Sequence, residues 1–333
     1  MKKVFFVVVA LLAIGIFAFA ASEPQYVLRF GTVAAPTQPQ VKAMKVFAQV
    51  VGELSNGKIK VEVFPSGQLG DQRSMLLATM RGDLAMFDDA GPAWFADLCG
   101  VPQMGVLNAA YVFRNIDHMY RVMTGPIGQK FFKELEQKAN LHVLSTWYLG
   151  TRELDLTKKA GPVRTPADLK GIKLRMPNSK VYLDMARALG AIPTPMDFTD
   201  VYLGLKTGII DGQDNPLPTD YSAKFCEVTH YIVLTDHLIG ILNPVINAKL
   251  WNSMPKEYQD YINRAMEVAK FYMDYLVTKQ EAELISKFVK DYHMEIIIPD
   301  KKAFMEHARE FYSQPEFDKL WGKGMYEKIQ NSY

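Results

Sequence analysis

Arg175 stands in the segment Gly-Ile-Lys-Leu-Arg-Met-Pro at 171–177, and its side chain is well placed to hold an anion. Strict alternation puts Ile172, Leu174 and Met176 on one face of a strand and Lys173 and Arg175 on the other. Pro177 stops the strand. A guanidinium fixed at a strand end matches a carboxylate through two parallel hydrogen bonds. The same pattern also suits an ion pair with an Asp or Glu of the chain itself, and the strand alone favours that plainer reading.

Other anchors shift the balance. Arg152 follows an expected strand at 141–149 that carries Trp147 and Tyr148. Asn215 follows an expected strand at 209–213 that ends on Gln213. Ligands of parallel α/β sheets sit beyond the carboxyl ends of the strands, so three anchors from three strand ends can converge on one pocket. Two arginines and an amide describe a site for an anionic, oxygen-rich ligand. Phe198, just past a short strand, can lay its ring over the ligand's carbon skeleton. Trp147 and Gln213 are further candidates for the same site.

Catalytic and metal signatures are missing. The six histidines fall at no metal-binding spacing, and the sequence holds no His-Glu-x-x-His, Cys-x-x-Cys, phosphate loop or dinucleotide fingerprint. It also lacks a Gly-x-Ser-x-Gly elbow. No catalytic residue, metal ligand or cofactor is therefore assigned. Catalytic triads form in space rather than in sequence, so a secreted hydrolase stays open as an alternative.

The elements that must position these anchors follow from periodicity. Strands are expected at 26–31, 58–64 and 84–87, with helices at 39–54 and 70–81 between them. The pattern resumes with the strand at 141–149, a helix start at Thr165-Pro166-Ala167-Asp168, and a helix at 178–189. A strand at 191–195, a helix at 200–207 capped by Thr199, and the strand at 209–213 complete it. This is an α/β chain of two lobes, crossed on strands near 146–152 and 238–247. Residues 253–293 contain no glycine, and apolar residues recur there at helical spacing. A helix of that length runs ~55 Å, enough to brace both lobes or to project into a partner.

Composition bounds the setting. Lys2 and Lys3 precede an apolar run from Val4 to Phe19, and Ala18 and Ala20 suit a signal peptide cut after Ala20. Without those two lysines the remaining 36 basic and 36 acidic residues balance. That leaves no electrostatic footprint for nucleic acid. The 313 residues from Ala21 onward exceed one comfortable core. Cys99 and Cys226 allow one disulfide in an oxidising compartment, but buried free thiols fit their apolar surroundings equally well.

The chain resembles the solute-binding proteins of tripartite ATP-independent periplasmic (TRAP) transporters along nearly its whole length. The resemblance rests on Leu28-Arg29-Phe30-Gly31, the block from Ser55 to Gly70, and Gly150-Thr151-Arg152. It continues in the block from Thr165 to Pro177, in Pro195-Met196-Asp197-Phe198-Thr199-Asp200-Val201-Tyr202, and in Asp211-Gly212-Gln213-Asp214-Asn215-Pro216. It implies a two-lobed periplasmic-binding-protein fold with hinge strands and a long helix spanning both lobes. The expected division is 21–148 with 241–280 for the first lobe and 149–240 with 281–333 for the second.

The resemblance also implies that Arg175 binds a ligand carboxylate, that Arg152 assists, and that Asn215 and Phe198 line the pocket. Asn178, three residues after Arg175, is a further expected contact. Gln72 stands where sialic acid binders carry an acidic residue, and Asp88 and Asp89 precede the point where such proteins carry a glutamate. Asp89 either meets a ligand hydroxyl or amine, or is a solvated turn residue. Asp214 replaces a more usual glutamate. The implied partners are a small organic acid and the membrane permease subunits. C4-dicarboxylate, keto acid, aromatic acid and sugar acid all stay open as ligand. So do a role in sensing, a homo-oligomer, and a metal beside the ligand.

Overall fold

A computed structural model describes residues 23–332. The expected signal peptide at 1–20 lies outside the described residues. Eleven strands are described: β1 (Tyr26–Gly31), β2 (Ile59–Phe64), β3 (Met86–Phe87), β4 (Leu141–Val143), β5 (Trp147–Leu156), β6 (Lys173–Met176), β7 (Ile192–Pro195), β8 (Gly212–Pro216), β9 (Tyr231–Leu242), β10 (Val245–Asn247) and β11 (Glu295–Ile297). They form two sheets, ordered β2-β1-β3-β10-β4 and β11-β9-β5-β8-β6-β7. In the first, β1 runs parallel to β2 and β3. In the second, β6 runs parallel to β7 and β8. Helices cross between these parallel strands and cover them, which is why Leu28, Phe30, Leu174 and Met176 are all buried.

The chain passes from the first sheet to the second on β4 and β5, and returns on β9 and β10. β5 and β9 are antiparallel from Trp147 opposite Leu242 to Leu156 opposite Tyr231, with register shifts near Gly150 and Arg152. Two glycines allow the close approach at this crossing. Gly150 has φ of +126°, and a Cβ there would fall 2.5 Å from Pro216; a Cβ on Gly240 would fall 2.8 Å from the Gly150 carbonyl oxygen. Asn243 ties the crossing by donating to Ser145 O and Thr146 Oγ1.

The helix Lys256–Tyr292 is one unbroken element of 37 residues. Tyr258 packs edge-on against Tyr26 near its start, and Phe288 packs against Tyr221 near its end. Between them, Asp274 accepts from Tyr120 Oη, and Glu281 accepts from Tyr148 Oη and Thr151 N. The helix thus touches both lobes and the β5 crossing. After it, the helix Lys301–Tyr312 lies on the helix Lys180–Leu189. The tail then returns to the first lobe, where Tyr326 Oη donates to Ala110 O and Gln330 Nε2 to Tyr111 O.

Several expected elements differ in detail. The strand expected at 141–149 is two strands, broken at 144–146, where Leu144 N turns to Pro244 O. Arg152 therefore lies inside β5 rather than after a strand, and Asn215 lies inside β8. The second helix begins at Gln72, because Asp71 accepts from Ser74 N and caps it there. Thr199 caps nothing: it sits in a 3₁₀ turn, Phe198–Asp200, and the helix Val201–Thr207 follows with Asp200 at its N-cap position. Thr165 and Asp168 do form a reciprocal capping box, but it opens a single 3₁₀ turn. Cys99 and Cys226 are both buried and free. Among the described residues no helix is long and apolar enough to cross a membrane.

Candidate functional site

β6 presents Arg175 exactly where alternation placed it, on the face opposite Leu174 and Met176, and the side chain is only 1% exposed. Its Nε donates to Met196 O at 2.9 Å. Its Nη2 is buried and has no hydrogen-bond partner in the protein. Burial pulls the guanidinium down to about 10, helped by Arg152 and opposed by Asp214, so it keeps its charge at neutral pH. The ring of Phe198 lies 5.9 Å from its central carbon.

Arg152 is in the opposite state. Its Nε donates to Asp214 Oδ2 at 2.7 Å, and its Nη2 donates to Asp214 Oδ1 at 3.1 Å and to the Asp214 carbonyl. Asp214 Oδ2 also lies 3.1 Å from His237 Nε2. Burial alone would raise the Asp214 carboxyl, but Arg152 and His237 hold it well below the usual carboxylate range. Arg152 thus reaches the cleft as a neutralised pair, stacked 5.4 Å from the Tyr182 ring. Asp214 does not line the cleft; its short side chain lies behind it, on Arg152.

Arg152, Arg175, Phe198, Asn215 and Thr219 come together on the second-lobe wall of one cleft between the lobes. Gln38, Gln40, Gln72, Asp89 and Trp94 face them from the first lobe. Asp89 is not a solvated turn residue. It is 8% exposed and accepts from Thr32 Oγ1 at 2.6 Å, Val33 N at 2.7 Å and Gln40 Nε2 at 2.8 Å. Burial raises its carboxyl, and those three donors pull the other way. Asp88, which receives Gln40 Nε2, is raised further by burial and by the charge of Asp89.

Three expected contacts fall outside the cleft lining. Asn178 is exposed: beyond Pro177 the chain turns at once into the helix Lys180–Leu189, and the amide at its start, Lys180 N, bonds to Asp97. Gln213 is fully buried behind the wall, where it bonds to Asp220, Asp155 and Asn215. Trp147 is fully buried in the core at the lobe crossing. Gln38, Gln40, Trp94, Tyr182 and Thr219 were not singled out from the sequence, whereas Gln72 was noted only as a departure from sialic acid binders. Gln38 and Gln40 flank the proline of a helix start, and that position is their only local signal. Among the described residues no group of three or more His, Cys, Asp or Glu could hold a metal ion.

A family model described as bacterial extracellular solute-binding protein, family 7, matches residues 30–318. The sialic acid-binding periplasmic protein SiaP of Vibrio cholerae is 34% identical over 330 residues, 99% of each chain. The 2,3-diketo-L-gulonate-binding periplasmic protein YiaO of Escherichia coli is 34% identical, over 89% of each chain. A crystal structure of a TRAP periplasmic solute-binding protein from Roseobacter denitrificans with bound 3-deoxy-D-manno-oct-2-ulosonic acid superposes with a TM-score of 0.86. It is 35% identical and covers 92% of this chain and 98% of its own. One from Sulfurospirillum deleyianum with bound succinate has a TM-score of 0.85 at 28% identity, covering 93% of this chain and 100% of its own.

Proposed function

The chain belongs to bacterial extracellular solute-binding protein family 7 and is a TRAP-type periplasmic receptor for small organic acids, and from that premise we propose that its solute is a sugar acid: one carboxylate on a hydroxyl-rich carbon chain. The observation that carries this reading is the contrast between the two arginines. Arg175 keeps a buried Nη2 without a protein partner, whereas Arg152 is already neutralised by Asp214. One uncompensated guanidinium calls for one carboxylate. The opposite wall offers Gln38, Gln40, Gln72 and Asp89, which suit hydroxyl groups and supply no cation for a second carboxylate.

In this reading Arg175 grips the carboxylate, Phe198 covers the adjacent carbons, and Asn215 and Arg152 meet the oxygens beyond. The relatives named above bind sialic acid, 2,3-diketo-L-gulonate, 3-deoxy-D-manno-oct-2-ulosonic acid and succinate; a sugar-acid solute would group this chain with the first three. Contacts from both walls exist together only when the lobes are closed, so binding draws the receptor towards its closed form. The closed form then hands its acid, chemically unchanged, to the membrane permease. We assign the lobes to 21–148 with 241–280 and to 149–240 with 281–333, with the tail strapped back across the first lobe. Cleavage after Ala20 releases the exported chain.

A thermal-shift screen of the exported protein against aldonates, uronates, ulosonates, C4-dicarboxylates and neutral sugars tests the reading. A ligand of the folded state at 100 times its dissociation constant adds about 2.7 kcal/mol of stability. Shifts confined to sugar acids support it. Shifts from succinate and its neighbours alone would exclude it.

A further inference from the structure

Behind Asn215 lies a chain of polar groups that the binding reading leaves unused. Gln213 is fully buried, and so are Asp155 on β5 and Asp220 on the helix Leu217–Ser222. Gln213 Nε2 donates to Asp220 Oδ1 at 2.8 Å, and Asp155 Oδ2 lies 3.4 Å from the same nitrogen. A carboxamide nitrogen has two hydrogens, and these two carboxyls provide an acceptor for each. Reversing the Gln213 amide would set its oxygen against both acids. Gln213 Oε1 is therefore turned the other way, where it accepts from Asn215 Nδ2 at 2.5 Å. Reversing Asn215 would in turn set oxygen against oxygen. The Asn215 carboxamide is only 4% exposed, lines the cleft, and has its nitrogen committed to Gln213.

We propose that Gln213, gripped by Asp220 and Asp155, is the positioning residue that turns the Asn215 carbonyl oxygen towards the cleft, so that the site selects a ligand donating a hydroxyl hydrogen at that point. Asn215 is thereby an acceptor by construction rather than an adaptable amide. The acid pair supplies the fixed end of the relay. Burial raises both carboxyls and favours a retained proton on the pair; on Asp155 Oδ1 or Asp220 Oδ2, which have no protein partner, that proton leaves the amide side free. The oxygens facing Gln213 then stay acceptors. A buried acceptor left unpaired is penalised more than a made bond is rewarded, and this asymmetry turns orientation into selectivity. The ligand side of this proposal rests on the sugar-acid reading; the orientation itself does not.

Two measurements test it. In the first, side-chain amide hydrogen exchange is followed by NMR on the exported protein without added acid. One Asn215 Nδ2 hydrogen and the Gln213 Nε2 hydrogens should exchange at least about tenfold more slowly than those of an exposed amide such as Asn178. In Gln213→Met the Asn215 protection should vanish. Both Asn215 hydrogens exchanging at the exposed rate in the unaltered protein would overturn the relay. In the second, calorimetry compares galactonate with its singly deoxygenated analogues. One analogue should bind about tenfold or more weakly. Gln213→Met should shrink that one penalty to about twofold and leave the others in place. An unchanged penalty in Gln213→Met overturns the proposal. If no aldonate, uronate or ulosonate binds, the sugar-acid reading fails, and the exchange measurement still decides the orientation.

Discussion

Gln38 Nε2 donates to Thr219 Oγ1 at 3.0 Å, and the bond joins the two lobes across the cleft. Gln38 stands at the start of the first-lobe helix Pro39–Leu54, and Thr219 lies on the second-lobe helix Leu217–Ser222. Gln38 Nε2 also reaches Gln40 Oε1, and Gln40 reaches Asp89. The latch is thus continuous with the polar wall that faces the arginines.

A latch made only in the closed form stabilises that form alone. Thr219→Val keeps the shape and removes the acceptor. A hydrogen bond of this kind contributes about 0.5–1.5 kcal/mol, so affinity should fall roughly two- to tenfold. Small-angle scattering of the unliganded variant should show a larger radius of gyration. Unchanged affinity and scattering together would remove the latch from the mechanism.

The buried acids set a pH dependence. Burial pushes Asp155 up to about 7, against hydrogen bonds from Thr229 and Gln213. Asp220 is raised by burial and by the charge of Asp155. An unfolded aspartate releases its proton near 4, roughly the model-peptide value. From there up to about 7 the folded state holds a proton that the unfolded chain has lost, so stability drains away as pH rises, by about 1.4 kcal/mol per pH unit per proton. Asp155→Asn should therefore gain in melting temperature relative to the unaltered protein as pH goes from 4 to 7. A difference that stays flat or reverses across that window contradicts the assignment.

Much of this site was legible because it is local. Alternation over five residues placed Arg175 on its strand face, and Pro177 fixed the strand's end. The glycine-free run from 253 to 293 gave the long helix, since nothing in it breaks the helical period. Asn178 was misplaced because the residue after a strand end points wherever the next helix turns the chain, and the bond from Lys180 N to Asp97 that sets the turn spans 83 residues. Arg152 was seen as a strand-end residue because a three-residue break at 144–146 carries no breaker stronger than Ser145. Gln38 and Gln40 looked like any helix start; only the approach of Thr219 and Asp89 makes them part of the cleft wall.

Asp214 is predicted to matter more for stability than for contact. It does not line the cleft, yet it takes both Arg152 and His237. Asp214→Asn leaves the buried Arg152 charge uncompensated, which should cost about 3–5 kcal/mol in chemical denaturation. Because the Asp214 carboxyl lies below its ordinary value, the stability it provides is present above pH ~4 and is lost as pH falls through its folded value. The deficit of the variant should accordingly be fully developed at pH 7 and shrink only in strong acid. A deficit below about 1 kcal/mol at pH 7 would mean that water already compensates Arg152.

Arg175 should show the reverse balance, with ligand affinity gained at the expense of unliganded stability. Its guanidinium is buried and charged, with Nη2 unpartnered in the protein, and burial has already drawn its acidity to about 10. Replacing buried ionic groups with apolar residues of similar volume is often neutral or stabilising by about 1–4 kcal/mol. Arg175→Met should therefore melt at or above the temperature of the unaltered protein when no acid is added. The same variant should lose the acid-induced shift, because removing one partner of a buried charge pair costs about 3–5 kcal/mol of binding, a factor of roughly a hundred to several thousand. Arg175→Lys restores the charge but not the fork, and should recover only part of the affinity. Two outcomes in the Met variant would show that Arg175 holds the fold rather than the ligand: a large drop in unliganded melting temperature, together with a full acid-induced shift in what remains folded.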